Sequence, residues 1–137
     1  MQPHGDFKII YGRQVILAYA YGSWNAEAFA LYRHEMERII ANIQKPFSEI
    51  LDISQWELGN QAMLDAAKMR NEWAITQGRC HMSIVYGNQE TIYKITDSSI
   101  FSKVDASGSE AFSKFRTIED ALAFLKNQGY YTDDILY

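Results

Sequence analysis

The spacing of apolar residues divides the chain into alternating strand-like and helix-like stretches. DFKIIYG (6–12) and QVILAYAYG (14–22) are apolar, β-rich runs that meet at Gly12 and Arg13, which predicts a hairpin at one edge of a sheet. Gly22 and Ser23 break the second run. Asn25 stands where a helix cap belongs, and Phe29, Tyr32, Met36, Ile39, Ile40 and Ile43 recur at three- and four-residue steps. This predicts a helix from Ala26 to about Ile43, with Glu27 in its positive first turn and Pro46 beyond its end. FSEILDIS (47–54) is almost continuously apolar, as expected of a strand covered on both faces.

A second helix is predicted from about Asn60 to Gln77, with Met63, Ala66, Ala67, Trp73 and Ala74 as its apolar stripe and Gly78 as its stop. CHMSIVYG (80–87) reads as a strand, NQETIYKITDSSIF (88–101) as a third helix and AFSKF (111–115) as a short strand. Thr117 and Asp120 have capping-box spacing ahead of Ile118, Ala121, Leu122 and Leu125, and Gly129 closes that last helix. By the crossover rules this order gives an α/β fold. Its mixed central sheet has about five strands, a parallel centre and an N-terminal hairpin, and about four helices pack on it.

Composition narrows the setting. The 137 residues suit one domain, 1–137, with no repeat or linker, and 47% hydrophobic against 22% charged residues fits neither disorder nor a membrane span. The first residues lack a basic segment followed by an apolar core, and no glycine follows Met1, so neither export nor a myristoyl tether is expected. A single cysteine, Cys80, excludes an internal disulfide and suits a reducing cytoplasm. The net charge of −4 argues against nucleic acid as a partner.

Catalytic patterns fail in turn. His34-Glu35 would need a second histidine where Arg38 stands, and His4 and His81 are isolated in sequence, so no metal site is expected. Cys80 and His81 adjoin, but neighbours on a strand point to opposite faces, and a buried, inert cysteine is the expectation. There is no G-x-S-x-G elbow, P-loop or G-x-G-x-x-G, and Asp52, Glu57 and Asp65 read as solvated or capping carboxylates. No enzyme and no cofactor are expected.

Binding remains. Open α/β sheets take ligands at the carboxyl ends of parallel strands. That edge should gather Trp24, Asn25, Ser54, Trp56, Asn60 and Gln61, which are the candidate partner- or ligand-binding residues. Trp24 and Trp56 could equally cover the core. The tail GYYTDDILY (129–137) could pack on the sheet, hang loose or, as preferred here, pair with another copy in a homodimer.

The order of elements, the hairpin leading through YGSWN into a helix, the strand LDIS and the closing FRTIEDALAFL resemble the anti-sigma-factor-antagonist family. Its members are called STAS or SpoIIAA-like domains, and the likeness is to the lipid-carrier-like branch related to Sec14. Regulatory members carry D-[LIV]-S, a loop, and then an aspartate and serines, one of which is phosphorylated. Asp52, Ile53 and Ser54 match the first part, whereas Asn60, Gln61, Ala62 and Met63 stand where the family has D-S-S-G. Asp97-Ser98-Ser99 repeats the string elsewhere and reads as coincidence, and Ser54 reads as a turn residue.

The resemblance therefore implies a non-catalytic regulatory module that binds a protein partner without the serine switch. The alternative it implies is a small carrier or sensor of an amphiphilic, lipid-like ligand, with Met63, Met69 and Met82 as a flexible lining.

Overall fold

The computed structural model describes residues 5–57, 61–89 and 111–137, with the side chains of 61–64 and of 111 left aside. Five strands, β1 (Asp6–Tyr11), β2 (Val15–Ser23), β3 (Phe47–Glu57), β4 (Arg79–Val85) and β5 (Ala111–Phe115), form one sheet in the order β1-β2-β3-β4-β5. The β1–β2 pair is antiparallel and every other pair is parallel, so the hairpin is the expected edge of a mixed sheet. Three helices lie among the described residues: α1 (Ala26–Asn42), α2 (Gln61–Thr76) and α3 (Ile118–Asn127). From residue 90 onward, the stretch predicted as a further helix over 88–101 lies outside the described residues.

Period-two alternation sends each strand's side chains to two faces, and each face has its own core. On one, Ile16, Ala18, Phe47, Ile53, Met82 and Ile84 pack against α1 and α2. On the other, Val15, Leu17, Ile50 and Val85 pack against Ala121, Leu122 and Leu125 of α3. The caps fall where the sequence put them: Asn25 Oδ1 accepts the Ala28 N–H at 2.9 Å, and Thr117 Oγ1 accepts that of Asp120 at 3.1 Å.

Two register shifts move residues from where simple alternation would put them. The β3–β4 pairing steps from Phe47↔Arg79 to Ser48↔His81, so Cys80 is an extra residue with no partner across the ladder. Its side chain is exposed, which corrects the expectation of a buried cysteine. The second shift lies between Tyr19↔Asp52 and Tyr21↔Gln55. Beyond it β3 continues to Glu57, three residues past the predicted strand, and Trp56 turns to the same face as Ile53.

The buried face of α2 is not purely apolar. Glu49, in the middle of β3, is fully buried and faces Arg79 of β4 and Arg70 of α2, with N–O distances of 2.9 and 3.1 Å. Asn71 Oδ1 accepts a hydrogen bond from Arg79, and the Tyr32 hydroxyl of α1 donates to Glu49 at 3.4 Å. Burial alone would raise the Glu49 carboxyl, but the two guanidiniums and their hydrogen bonds outweigh it and hold the pKa below its ordinary value. Burial first, and the Glu49 charge second, push the Tyr32 phenol up. Ala74 joins this layer, while Met69 is 70% exposed, so only Met82 of those two methionines lines the interior.

The tail folds back on its own chain. Asp134 Oδ2 accepts the Arg13 N–H at 2.7 Å, Gln14 Oε1 accepts the Tyr131 N–H at 3.1 Å, and the Arg13 guanidinium lies 4.1 Å from the Tyr131 ring centroid. Ile135 is buried among the residues that face α3. At Gly12 any Cβ would collide with the Asp134 carboxylate, so the close approach requires glycine.

Two stability outcomes follow from this packing. Glu49→Ala leaves two buried guanidiniums without their shared anion and is expected to cost about 3–5 kcal/mol in urea unfolding. A loss below about 1 kcal/mol would show that the network carries little. His81 is buried 5.0 Å from the Phe124 ring, and its Nε2 has no hydrogen-bond partner among the described residues. Burial, and then the charge of Arg79, lower its pKa from 6.5 to about 4.

The fold therefore favours neutral His81. Its contribution is complete above pH 6.5 and is lost as pH falls toward 4. Between pH 7.5 and 5 the loss should be about 2 kcal/mol, and His81→Gln should abolish that slope. Glu49 acts with the same sign but only below 4.5, outside this window. An unchanged slope in the variant would assign the effect elsewhere.

Candidate functional site at the carboxyl edge of the sheet

Strands β2 to β5 run the same way, so the amino ends of α1, α2 and α3 all lie at one edge. There Gly22 pairs with Trp56 and Ser23 with Glu57, which brings the β2–α1 and β3–α2 junctions side by side as the sequence predicted. Asp52 braces the end of β3: its Oδ1 accepts the Ser54 N–H at 2.9 Å and the Ser54 hydroxyl at 2.6 Å. From the next crossover, Gln89 Nε2 donates to the Ser54 carbonyl at 3.0 Å. Gly87, at φ 58°, sits so close to Ser54 that a Cβ there would press on the serine side chain at 2.9 Å.

The candidate residues divide by depth. Trp24 and Trp56 are 6% and 8% exposed and meet edge-to-face with centroids 6.0 Å apart, so both take the core role left open as the alternative. The Trp24 Nε1–H donates to the Asp6 and Tyr21 carbonyls at 2.9 and 3.1 Å. Trp56 Nε1 is buried and has no partner among the described residues. With Phe7, Phe29 and Tyr32 the two indoles form one aromatic cluster beneath α1. Asn25 is spent on capping α1, Ser54 is half-buried, Gln61 opens α2, and Asn60 lies outside the described residues. Gln55 and Glu57 are exposed beside them.

The sheet face that carries α3 changes character along its strands. Ile10, Leu17 and Ile50 form an apolar row beneath the helix. The next row is Lys8, Tyr19 and Asp52, and the last is Asp6, Tyr21 and Gln55. The Tyr19 and Tyr21 rings are parallel, with centroids 6.2 Å apart, and the Lys8 ammonium lies 5.3 Å from the Tyr19 centroid. Burial, followed by the charge of Asp52 and then Tyr21, Glu119 and Tyr137, raises the Tyr19 phenol. The sequence analysis missed this platform. The signal was present in VILAYAYG, where Val15 and Leu17 give way to Tyr19 and Tyr21 on one face.

Ser54 has a carboxylate beside it, but no histidine or lysine completes a nucleophile, base and orienting group among the described residues. Nor do those residues contain a group of three or more His, Cys, Asp or Glu side chains able to hold a metal. No described helix is long and apolar enough to cross a membrane. A groove of about 460 Å³ lies at the opposite edge, lined by polar groups of Arg13, Arg38, Asn42 and Gln44 as well as by Tyr11 and Ile39.

Solved structures share this architecture. An uncharacterized protein of the DUF3478 family with a SpoIIAA-like fold, from Shewanella loihica PV-4, is similar with a TM-score of 0.64 and 13% identity, over 91% of this chain and 96% of that one. An anti-sigma factor antagonist from Mycobacterium paratuberculosis is similar with a TM-score of 0.60 and 15% identity, over 90% and 95%. The chain thus has the SpoIIAA-like fold. It is the fold that the resemblance of its motifs implied. No family model matches the sequence, and no curated protein matches it.

With Trp56 inside, its removal should act on folding before it acts on binding. Trp56→Ala is expected to cost about 3–5 kcal/mol in urea unfolding. A cost under about 1 kcal/mol would mean that the indole is a surface group after all.

Proposed function

We propose that residues 1–137 act as one non-catalytic STAS-like module, in the cytoplasm, that docks a protein partner through the end of β3 and the start of α2. The carrying observation is the Asp52–Ser54 brace, which fixes a strand end whose next exposed side chains are Gln55 and Glu57. Contact through Ser54, Asn60 and Gln61 would rest on Trp24, Asn25 and Trp56 as the support beneath. The name of the Mycobacterium neighbour, an anti-sigma factor antagonist, supports a regulatory protein partner. With Gln61, Ala62 and Met63 opening α2, there is no hydroxyl at those positions to phosphorylate, so this docking is not governed by a kinase acting there.

A second reading, a carrier or sensor of an amphiphile, draws on one atom. Trp56 Nε1–H, in the aromatic cluster and without a partner among the described residues, is a donor that a polar headgroup could satisfy. Two measurements separate the readings. Immobilised wild-type chain should retain a specific protein from a lysate, and a Gln55→Ala, Glu57→Ala double variant with an unchanged melting temperature should retain about tenfold less. Equal retention would remove the proposed surface. A lipid-sized mass that co-purifies in native mass spectrometry, without such a protein, would put the carrier in its place.

A further inference from the structure

We infer that the open half of the sheet face carrying α3 is a docking surface for a cationic, arginine-bearing segment of a partner protein. The inference rests on the docking reading above for the existence of a protein partner and adds the partner's chemistry. Its basis is the change from an apolar row under α3 to the rows Lys8–Tyr19–Asp52 and Asp6–Tyr21–Gln55. These two rows present half-buried rings and a half-buried Asp52 beside the exposed Asp6, Lys8 and Gln55.

Charge and shape choose the occupant. Among the described residues, Asp6, Asp52 and Glu119 place three carboxylates near the tyrosines against one ammonium, that of Lys8, and both Asp52 and Glu119 act on the Tyr19 phenol. Arg116 is engaged with the Gly87 carbonyl at 3.1 Å and with the Tyr86 ring, on the β4–β5 side of the sheet. Lys8 shows that the ring face of Tyr19 accepts a cation.

Tyr21, stacked parallel to Tyr19, offers a second such face between Asp6 and Gln55. Asp52 spends Oδ1 on Ser54, and its Oδ2 has no hydrogen-bond partner among the described residues. A guanidinium laid on Tyr21 would meet ring and carboxylate together, the two groups that a planar, multidentate cation uses best. An anionic or purely apolar segment would meet like charge or leave these carboxylates unpaired.

The test is an NMR titration of the full chain with acetylated tetra-arginine amide, with acetylated tetra-glutamate amide as control. Shifts should centre on the amides of Tyr19, Tyr21 and Asp52 and weaken as salt rises. Asp52→Asn and Tyr21→Ala should each weaken binding about fivefold, the combined scale of a lost ion pair and a lost cation–ring contact. Asp6→Asn, at an exposed position, provides a variant that leaves the core untouched should Tyr21→Ala lower the melting temperature.

Shifts spread evenly over all acidic residues, absence of shifts at this face, or equal binding by the variants would overturn the inference. So would concentration-dependent shifts at the same residues without peptide, which would assign the face to a second copy of the chain. If the peptide fails while the Gln55 and Glu57 variant still loses its lysate partner, docking stands and only the cationic chemistry falls.

Discussion

One carboxylate in the middle of the sheet sets the position of everything on its α1 and α2 side. Glu49 comes from a strand whose neighbours on the same face are Phe47, Leu51 and Ile53, so its charge has no water to turn to. Desolvating an ion costs several kcal/mol unless strong, well-placed partners replace the water. Here the partners come from other elements, Arg79 from β4 and Arg70 from α2, with the Tyr32 hydroxyl from α1. Apolar contacts tolerate sliding, whereas paired hydrogen bonds to a guanidinium fix distance and direction. The network therefore ties α2 to the middle of β3 and β4.

The end of β3 is braced on both sides. The two tryptophans of this edge face inward, and Asp52 ties down the last serine of the motif. What remains outside is a shallow polar rim next to two parallel tyrosines. Such a surface has area and directionality for a partner.

Most of the architecture was legible because it depends on periodicity. The hairpin, the capped helix after Asn25, the inward set from Phe29 to Ile43 and the last helix after Thr117 all follow from spacing and cap chemistry, and all are present. Two placements share a cause that spacing does not reveal. A bulge is one residue of extra chain, invisible in composition, and one of them exposes Cys80 while the other turns Trp56 inward. The role of Glu49 had no signal in an almost continuously apolar strand because its partners lie 21 and 30 residues away. The tail exchanges hydrogen bonds with the hairpin turn of its own chain, Asp134 accepting from Arg13 and Tyr131 donating to Gln14. The platform of Tyr19 and Tyr21 needed the register of three strands before its members could be seen to share a face.

The tail bond has a consequence for the order in which the molecule is made. Asp134 and Arg13 are 121 residues apart, so the clasp over the first turn closes a long loop. A ribosome releases the hairpin well before the aspartate. Until Asp134 emerges, the outer strand must rest on β2 and α1 without its clasp, and that edge is sealed late.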